Sequence, residues 1–300
     1  MLRVTNKKAD RRFKTFVYIL FVIVLLSTIY PFWNLLAISF NNPQDSARGD
    51  IYLWPREFSL VSYQTIFGQN QYLGTAITNS ILRTIIGTIL NVMSCTLVAY
   101  ALSRKDFVLR KFMSKWVFFT MYLTAGLIPT YILYSKLNMI NTFSVYILPY
   151  LMSGYNVIIL RTYMEKLSPA LSESAKIDGA SDLQTFARII VPMCVPVIAT
   201  VTLFIAVFQW SSWQDTFFFA SNPKAGLTTL QYEMTKIIRE SSSNLTEAQI
   251  RDMQGMGAAM ATPQSLQAAM TIIATVPILA VYPFLQRYFV NGIVLGSVKG

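Results

Sequence analysis

Residues 16–40 read FVYILFVIVLLSTIYPFWNLLAISF, a run without a single Asp, Glu, Lys or Arg. At about 1.5 Å of rise per residue, a helix of this length exceeds the roughly 30 Å hydrocarbon core of a bilayer. The run therefore predicts a transmembrane helix, and the rest of the chain has to be read with lipid as one of its solvents. Six cations, Arg3, Lys7, Lys8, Arg11, Arg12 and Lys14, precede it. A secretory signal has the same order of charge and apolar run, but its apolar part spans about 7–15 residues and ends at small residues. Here the run is longer and continues into Pro31, Phe32 and Trp33, so a retained anchor is expected.

Composition points the same way. Of 300 residues, 54% are hydrophobic and 13% charged, where a soluble domain carries about 25% charged residues. A net charge of +11 could suggest nucleic acid, but the cations sit beside apolar runs, as in the cytosolic loops of membrane proteins, so no nucleic-acid partner is expected. The chain has no histidine, which excludes imidazole metal ligands, His-based triads and His proton relays. Cys95 and Cys194 lie within apolar stretches and read as small buried side chains rather than a disulfide or metal site. Neither a catalytic residue nor a bound metal is expected.

Five further apolar runs predict an all-α integral membrane protein, a single domain over residues 1–300 with six transmembrane helices at about 16–40, 76–102, 116–134, 143–160, 193–220 and 264–289. Gly126 and Pro129 break the third, Pro149, Ser153, Gly154 and Asn156 interrupt the fourth, and Pro277 and Pro283 kink the sixth. Such interruptions survive in a membrane only where neighbouring helices or water satisfy the freed backbone groups. Counting Arg287 at the end of the sixth span, seventeen Lys and Arg fall on the side of the N-terminal arm and seven on the other. Both termini are therefore expected in the cytosol, with residues 41–75 and a long loop, 221–263, outside. Six kinked helices are few to enclose a route for a large solute, so a partner subunit is expected.

The connection between the fourth and fifth spans, residues 161–192, is placed in the cytosol by this topology. Its core, LSESAKIDGASDLQTFARIIVP from Leu171 to Pro192, looks like soluble sequence. Ser168 and Pro169 offer an N-cap and a first helical position. Leu171, Ala175 and Asp178 then share one side, and Gly179 supplies a left-handed stop. Ser181 caps a second helix, Leu183 to Ile190, which returns to the membrane before Pro192. The loop balances Arg161, Lys166, Lys176 and Arg188 against Glu165, Glu173, Asp178 and Asp182, whereas a loop meant for anionic lipid would be basic. A rigid helical knob facing a protein surface is the better reading.

Glu173 to Ala180, ESAKIDGA, with Ile190-Val-Pro192 beginning eleven residues after Gly179, closely resembles the EAA loop of permease subunits in bacterial ABC importers; Ser174 stands where that family usually has Ala. The tail YFVNGIVLGSVKG (288–300), Asn79-Ser80 and WSSWQD (210–215) are similar to carbohydrate-uptake permeases related to the smaller maltose permease subunit, in the branch that serves complex oligosaccharides. The resemblance covers essentially the whole chain. It implies a multi-pass protein of the bacterial plasma membrane that pairs with a second, homologous permease. A cytosolic ATPase dimer would dock the loop helix and hold the ATP and Mg2+, while this chain binds no cofactor itself. An extracytosolic solute-binding protein would deliver an oligosaccharide, with residues 221–263 as a candidate contact. In the loop, Glu173 would make a polar contact to the ATPase and Ala175 and Ala180 would permit close approach. Gly179 would set the turn, and Asp178 would stabilise it or add a contact.

Within the spans the few polar groups are the pathway candidates: Asn79, Arg83, Asn156, Gln209, Trp210, Trp213, Gln214 and Asp215. Intramembrane charges are costly and suggest a pathway or pairing role, and Arg83 and Asp215 could also snorkel to the outer interface. Indole rings with amides beside them suit sugars, yet Trp also favours the interface, and Asn79, Asn91 and Asn156 would equally serve as glue between helices. A secondary transporter or channel acting without an ATPase is the alternative. Its proton-coupled form has only Arg83 and Asp215 near the spans to work with.

Overall fold

A computed structural model of the chain describes residues 7–69, 72–243 and 261–297. The start of the N-terminal arm, residues 244–260 of the long polar loop and the last three residues of the tail lie outside the described residues. Among those described, the chain is helical, joined by turns and one isolated bridge between Asn41 and Phe58. Its contacts divide into two units: residues 1–71 with 236–275, and residues 72–235 with 276–300.

In the first unit, α1 (Lys7–Ser39) contains the opening apolar run. Its stretch Arg11–Ser39 is long and apolar enough to cross a membrane, and none of its most apolar window is buried by the protein. Pro31 is accommodated inside the helix. Beyond it, α2 (Pro43–Ser46) and α3 (Val61–Gln69) belong to an ordered cap, where Ala37, Ile38, Ile51 and Ala268 form a small core.

The second unit is organised around α4 (Leu73–Ser103), an apolar helix with enough length to span. The expected third span, 116–134, is instead two helices, α5 (Arg110–Tyr122) and α6 (Leu127–Lys136), bent by 118°. Gly126 makes that bend at φ +83°, a conformation that costs residues with a Cβ. The expected fourth span, 143–160, is two 3-10 turns, Phe143–Tyr146 and Leu148–Tyr150, followed by α7 (Gly154–Met164). The connecting loop thus begins after Met164 rather than at Arg161. Asn91 and Ser94 of α4 donate to the carbonyls of Tyr150 and Leu151, the backbone groups that the irregular segment frees.

Next come α8 (Pro169–Ile177), α9 (Asp182–Thr185), a π turn over Phe186–Ile190 and α10 (Val191–Met193). The expected continuous helix Leu183–Ile190 is therefore replaced by one turn of α-helix and a wider turn. The expected fifth span, 193–220, is α11 (Val195–Ser211), bent by 82° from the preceding segment, with a separate α12 (Gln214–Phe219). The long polar loop contains a helix, α13 (Leu230–Ser243), and the last helix, α14, runs from Pro263 to Ser297 with Pro277 and Pro283 inside it. Among the described residues, three single helices and three bent pairs thus have the length and apolarity to cross.

The core of the second unit is α4 packed against α7 and α11, through Cys95, Ala99, Leu102, Val157, Leu160, Val201 and Ile205. Without a hydrophobic drive between helices in lipid, small residues at the seam allow the close packing that holds them. Gly87 is one such point: a Cβ there would lie 2.6 Å from Gln209 Nε2. Gly154 is another, where a Cβ would stand 3.1 Å from the Val117 carbonyl oxygen. Both cysteines are buried and free.

Candidate functional site

Two places in the second unit gather the residues singled out by sequence. The first is the loop helix α8. Ser168 has N-cap backbone geometry, but its side chain makes no capping bond, a departure from the expected cap; Pro169 starts the helix. At the other end the Gly179 N–H donates to the Lys176 carbonyl (3.1 Å) and the Ala180 N–H to the Ala175 carbonyl (2.9 Å), while Gly179 sits at φ +77°. These paired bonds and the left-handed glycine make a Schellman stop. Ser181 then opens α9 with a reciprocal capping box: Gln184 N–H donates to Ser181 Oγ (3.3 Å), and Ser181 N–H to Gln184 Oε1 (2.9 Å). The N–H groups of Asp178, Gly179, Ala180 and Ser181 are thus all satisfied by near neighbours in sequence, which makes the knob rigid.

Ala175 and Ser172 face inward, while Leu171 is half-buried and Asp178 exposed, so the inward face is rotated slightly from the expected Leu171, Ala175 and Asp178 line. Glu173, Ser174 and Gly179 are exposed, as is Pro192 on α10. Ile177 is 86% exposed and Leu183 69%. The knob therefore presents a carboxylate and two large apolar side chains outward together.

One ion pair ties the knob to the turn after α4, and Glu165 joins the end of α7 to α5. Lys176 Nζ lies 3.0 Å from Asp106 Oδ2, and that hydrogen bond is the chief cause that holds the Asp106 carboxyl below its ordinary range. Arg110 and Arg161 both reach Glu165 Oε1, at 2.8 and 2.9 Å. Burial works against the charged form of Glu165, but the two arginines prevail and its carboxyl too is held low. The Tyr100 and Phe186 rings pack at 5.0 Å. Between α8 and the turn after α4 lies a cavity of about 470 Å³, lined among others by Tyr100, Arg104, Asp106, Glu165, Glu173 and Lys176.

The second place is a buried polar cluster. Arg83 of α4 is fully buried. Its Nη2 donates to Asp215 Oδ2 (2.5 Å) and to Gln209 Oε1 (3.1 Å), its Nε also to Gln209 Oε1 (3.3 Å), and its Nη1 to the Ser212 carbonyl (3.2 Å). The guanidinium carbon stands 4.5 Å from the centre of the Tyr146 ring. This arrangement has a backbone cause. α11 ends at Ser211, and a buried helix end leaves carbonyls that need donors. Arg83 supplies one and places positive charge at the negative end of the helix dipole. Tyr146 extends the cluster, donating to the Leu227 carbonyl (2.5 Å) and meeting Thr216 Oγ1 (3.0 Å), which meets Thr229 Oγ1 (3.0 Å). Asn79 Nδ2 donates to the carbonyls of Gly226 (2.7 Å) and Thr228 (2.9 Å).

Thus Arg83, Gln209 and Asp215 are joined directly, while Asn79 holds the adjoining 226–228 segment, whose Leu227 carbonyl accepts from Tyr146. Trp210 and Trp213 are half-buried and Gln214 exposed at the α11 to α12 break; Asn156 is buried on α7. Sequence reasoning missed Tyr146, Thr216 and Thr229. They carried no charge signal, and Tyr146 sits in the irregular part of a segment expected to be a span.

A mostly helical chain with membrane-length apolar helices, broken spans and a capped polar knob defines a membrane permease. Residues 96–294 match the family described as "Binding-protein-dependent transport system inner membrane component", and the chain belongs to that family. It is 33% identical to the polygalacturonan/rhamnogalacturonan transport system permease protein YtcP of Bacillus subtilis (strain 168), over 97% of this chain and 99% of that one. It is also 33% identical to the protein LplC of the same organism, over 98% and 97%. Its fold matches a chain of a bacterial ABC transporter involved in the import of the acidic polysaccharide alginate, with a TM-score of 0.79 at 24% identity, covering 94% of this chain and 98% of that one. The protein is a permease component of a transport system and not itself an enzyme.

Proposed function

We propose that this chain is half of the transmembrane pathway of an ATP-driven importer for an oligosaccharide, with six crossings and both termini in the cytosol of a bacterial cell. A second homologous permease supplies the other half, a cytosolic ATPase dimer binds ATP and Mg2+, and an extracytosolic binding protein delivers the sugar. The observation that carries the reading is the α8 knob. It is stopped by a Schellman turn at Gly179, tied through Lys176 to Asp106, and presents Glu173 and Ile177 outward. Closure of the ATPase dimer moves this knob, and the core that α4, α7 and α11 form with it transmits the motion.

The Arg83 network has no exposed guanidinium, which favours pairing over direct contact with sugar for Arg83 and Asp215. Trp213 and Gln214, at the break that Arg83 caps, remain the candidates for stacking and amide contact with a saccharide.

Uptake of a galacturonide oligosaccharide, the first probe because YtcP is named for polygalacturonan transport, tests the reading together with stimulated ATPase activity of the reconstituted complex. Glu173→Lys should abolish both and leave the permease in the membrane at normal level. Normal ATPase association and uptake in that variant would remove the docking assignment. Co-purification of neither ATPase nor second permease would favour a secondary carrier or channel.

A further inference from the structure

The cap beyond α1 is built with unusual care for a loop. Asn41 is fully buried and bonds Asp45 Oδ2 (2.9 Å), Ser46 Oγ (3.0 Å) and the Glu57 N–H (2.9 Å). Arg56 bonds Asp45 (2.9 Å) and the Gly49 carbonyl (2.7 Å). Ser59 N–H returns to the Phe40 carbonyl (2.8 Å), so residues 41–58 leave and rejoin the chain at the end of α1. In between the segment folds back along α1. Trp33 Nε1 donates to the Leu53 carbonyl (2.7 Å), and Asn34 Nδ2 to the carbonyls of Ile51 (2.6 Å) and Tyr52 (3.1 Å). Trp54 meets Trp33 edge-on at 5.6 Å.

Three carbonyls of this fold-back, those of Ile51, Tyr52 and Leu53, are satisfied by α1, yet its tip shows apolar surface: Tyr52 is 60% exposed, Leu53 55% and Trp54 71%. The depth of the tip follows from α1. Lys14 is the last cation before the span, and twenty residues on, about 30 Å at 1.5 Å per residue, is Asn34. Trp33 and Asn34 therefore stand at the far boundary of the hydrocarbon, while Ser39 lies about 8 Å beyond it. Tyr52 and Leu53, bonded to Asn34 and Trp33, and Trp54, packed on the Trp33 ring, are returned to that boundary.

We propose that Tyr52, Leu53 and Trp54 form a membrane-inserted tip, lodged between the headgroups and acyl chains of the far leaflet. Three features select lipid as the occupant. The tip is continuous with the face of α1 that no part of this protein buries. Its residues, Tyr and Trp around a Leu, suit a layer that is apolar on one side and wet on the other. Residues 52–55 carry no charge, and neighbouring Arg56 is engaged by Asp45, so apolar burial drives insertion rather than attraction to acidic headgroups.

The test labels Leu53→Cys with a nitroxide in the full chain, assembled with its partner subunits in nanodiscs of phosphatidylethanolamine and phosphatidylglycerol. Cys95 and Cys194 are buried, and the unsubstituted chain measures their background. Collision rates with oxygen and with a water-soluble nickel chelate are compared with those at Ala47→Cys, an exposed position of the same cap. Oxygen access at 53 with nickel access several-fold lower than at 47, unchanged in high salt, is the expected result. High nickel access at 53 would place the tip in water, and low access to both reagents would place it under protein; either overturns the proposal. The same measurement at Tyr52→Cys keeps the test decisive if the first label perturbs the cap.

Discussion

Arg83 and Asp215 lie 132 positions apart in sequence, yet their side chains meet at 2.5 Å, with 1% and 4% of their surfaces exposed. A buried pair is weak evidence of net stabilisation, because desolvation offsets attraction, but breaking it by removing one partner leaves an uncompensated charge. Asp215→Asn should therefore destabilise the second unit by on the order of 3–5 kcal/mol, and Arg83→Met with Asp215→Leu should recover much of that loss. Thermal unfolding in detergent checks both. A single variant as stable as the unsubstituted chain would contradict the buried pair.

Gly87 sets the approach of α4 to α11. Alanine there would place its Cβ 2.6 Å from Gln209 Nε2 and 2.8 Å from Gln209 Cδ, so the amide must move, and with it the oxygen that accepts from Arg83. Overpacking of this kind costs about 1–3 kcal/mol. Gly87→Ala should lower the unfolding midpoint, and its effect should be less than additive with Gln209→Ala, since removing the amide opens the space. Strict additivity would mean the two positions do not meet.

Gly179 tests backbone conformation apart from packing. No atom outside its immediate neighbours lies within 4 Å of where a Cβ would stand, but φ is +77°. The penalty for a β-branched residue is thus conformational, about 1–2 kcal/mol or more for the left-handed region, whereas Asn tolerates it. Gly179→Asn should retain ATPase association and Gly179→Val should weaken it, as read by co-purification. Equal behaviour of the two would show that the Schellman stop is dispensable.

Much of this was legible in the sequence because its signals were local. Residues 16–40 carry an uninterrupted apolar pattern, and α1 follows it. The stop at Gly179 and the cap at Ser181 depend on bonds within a few positions, and both formed. The third, fourth and fifth expected spans fared differently. Apolar composition gives the length of a segment but not where it bends: Gly126, Ser153 and Cys194 mark the breaks, and around Ser153 the freed backbone groups are met by Asn91, Ser94 and Cys95, far away in sequence. For the same reason Arg83 and Asp215 could be singled out one by one, while their meeting, with Tyr146 beneath, required the tertiary fold.

The pair Lys176 and Asp106 predicts a dependence on pH. Its carboxyl is held below the ordinary range, chiefly by the hydrogen bond from Lys176, so the folded state binds the proton less readily than the unfolded chain. Stabilisation is then fully present above the ordinary carboxylate range and is lost as the pH falls through the lowered value. Both side chains are about half exposed, so the contribution is small and screened by salt. Hydrogen exchange of the α8 amides, corrected for the intrinsic rate, should stay constant between neutral and mildly acidic pH and rise only at stronger acidity. Asp106→Asn should show the faster exchange already at neutral pH, and this difference should shrink in concentrated salt. Identical exchange in the variant and the unsubstituted chain would show that the knob is held by Ala175 and Ser172 without help from this pair.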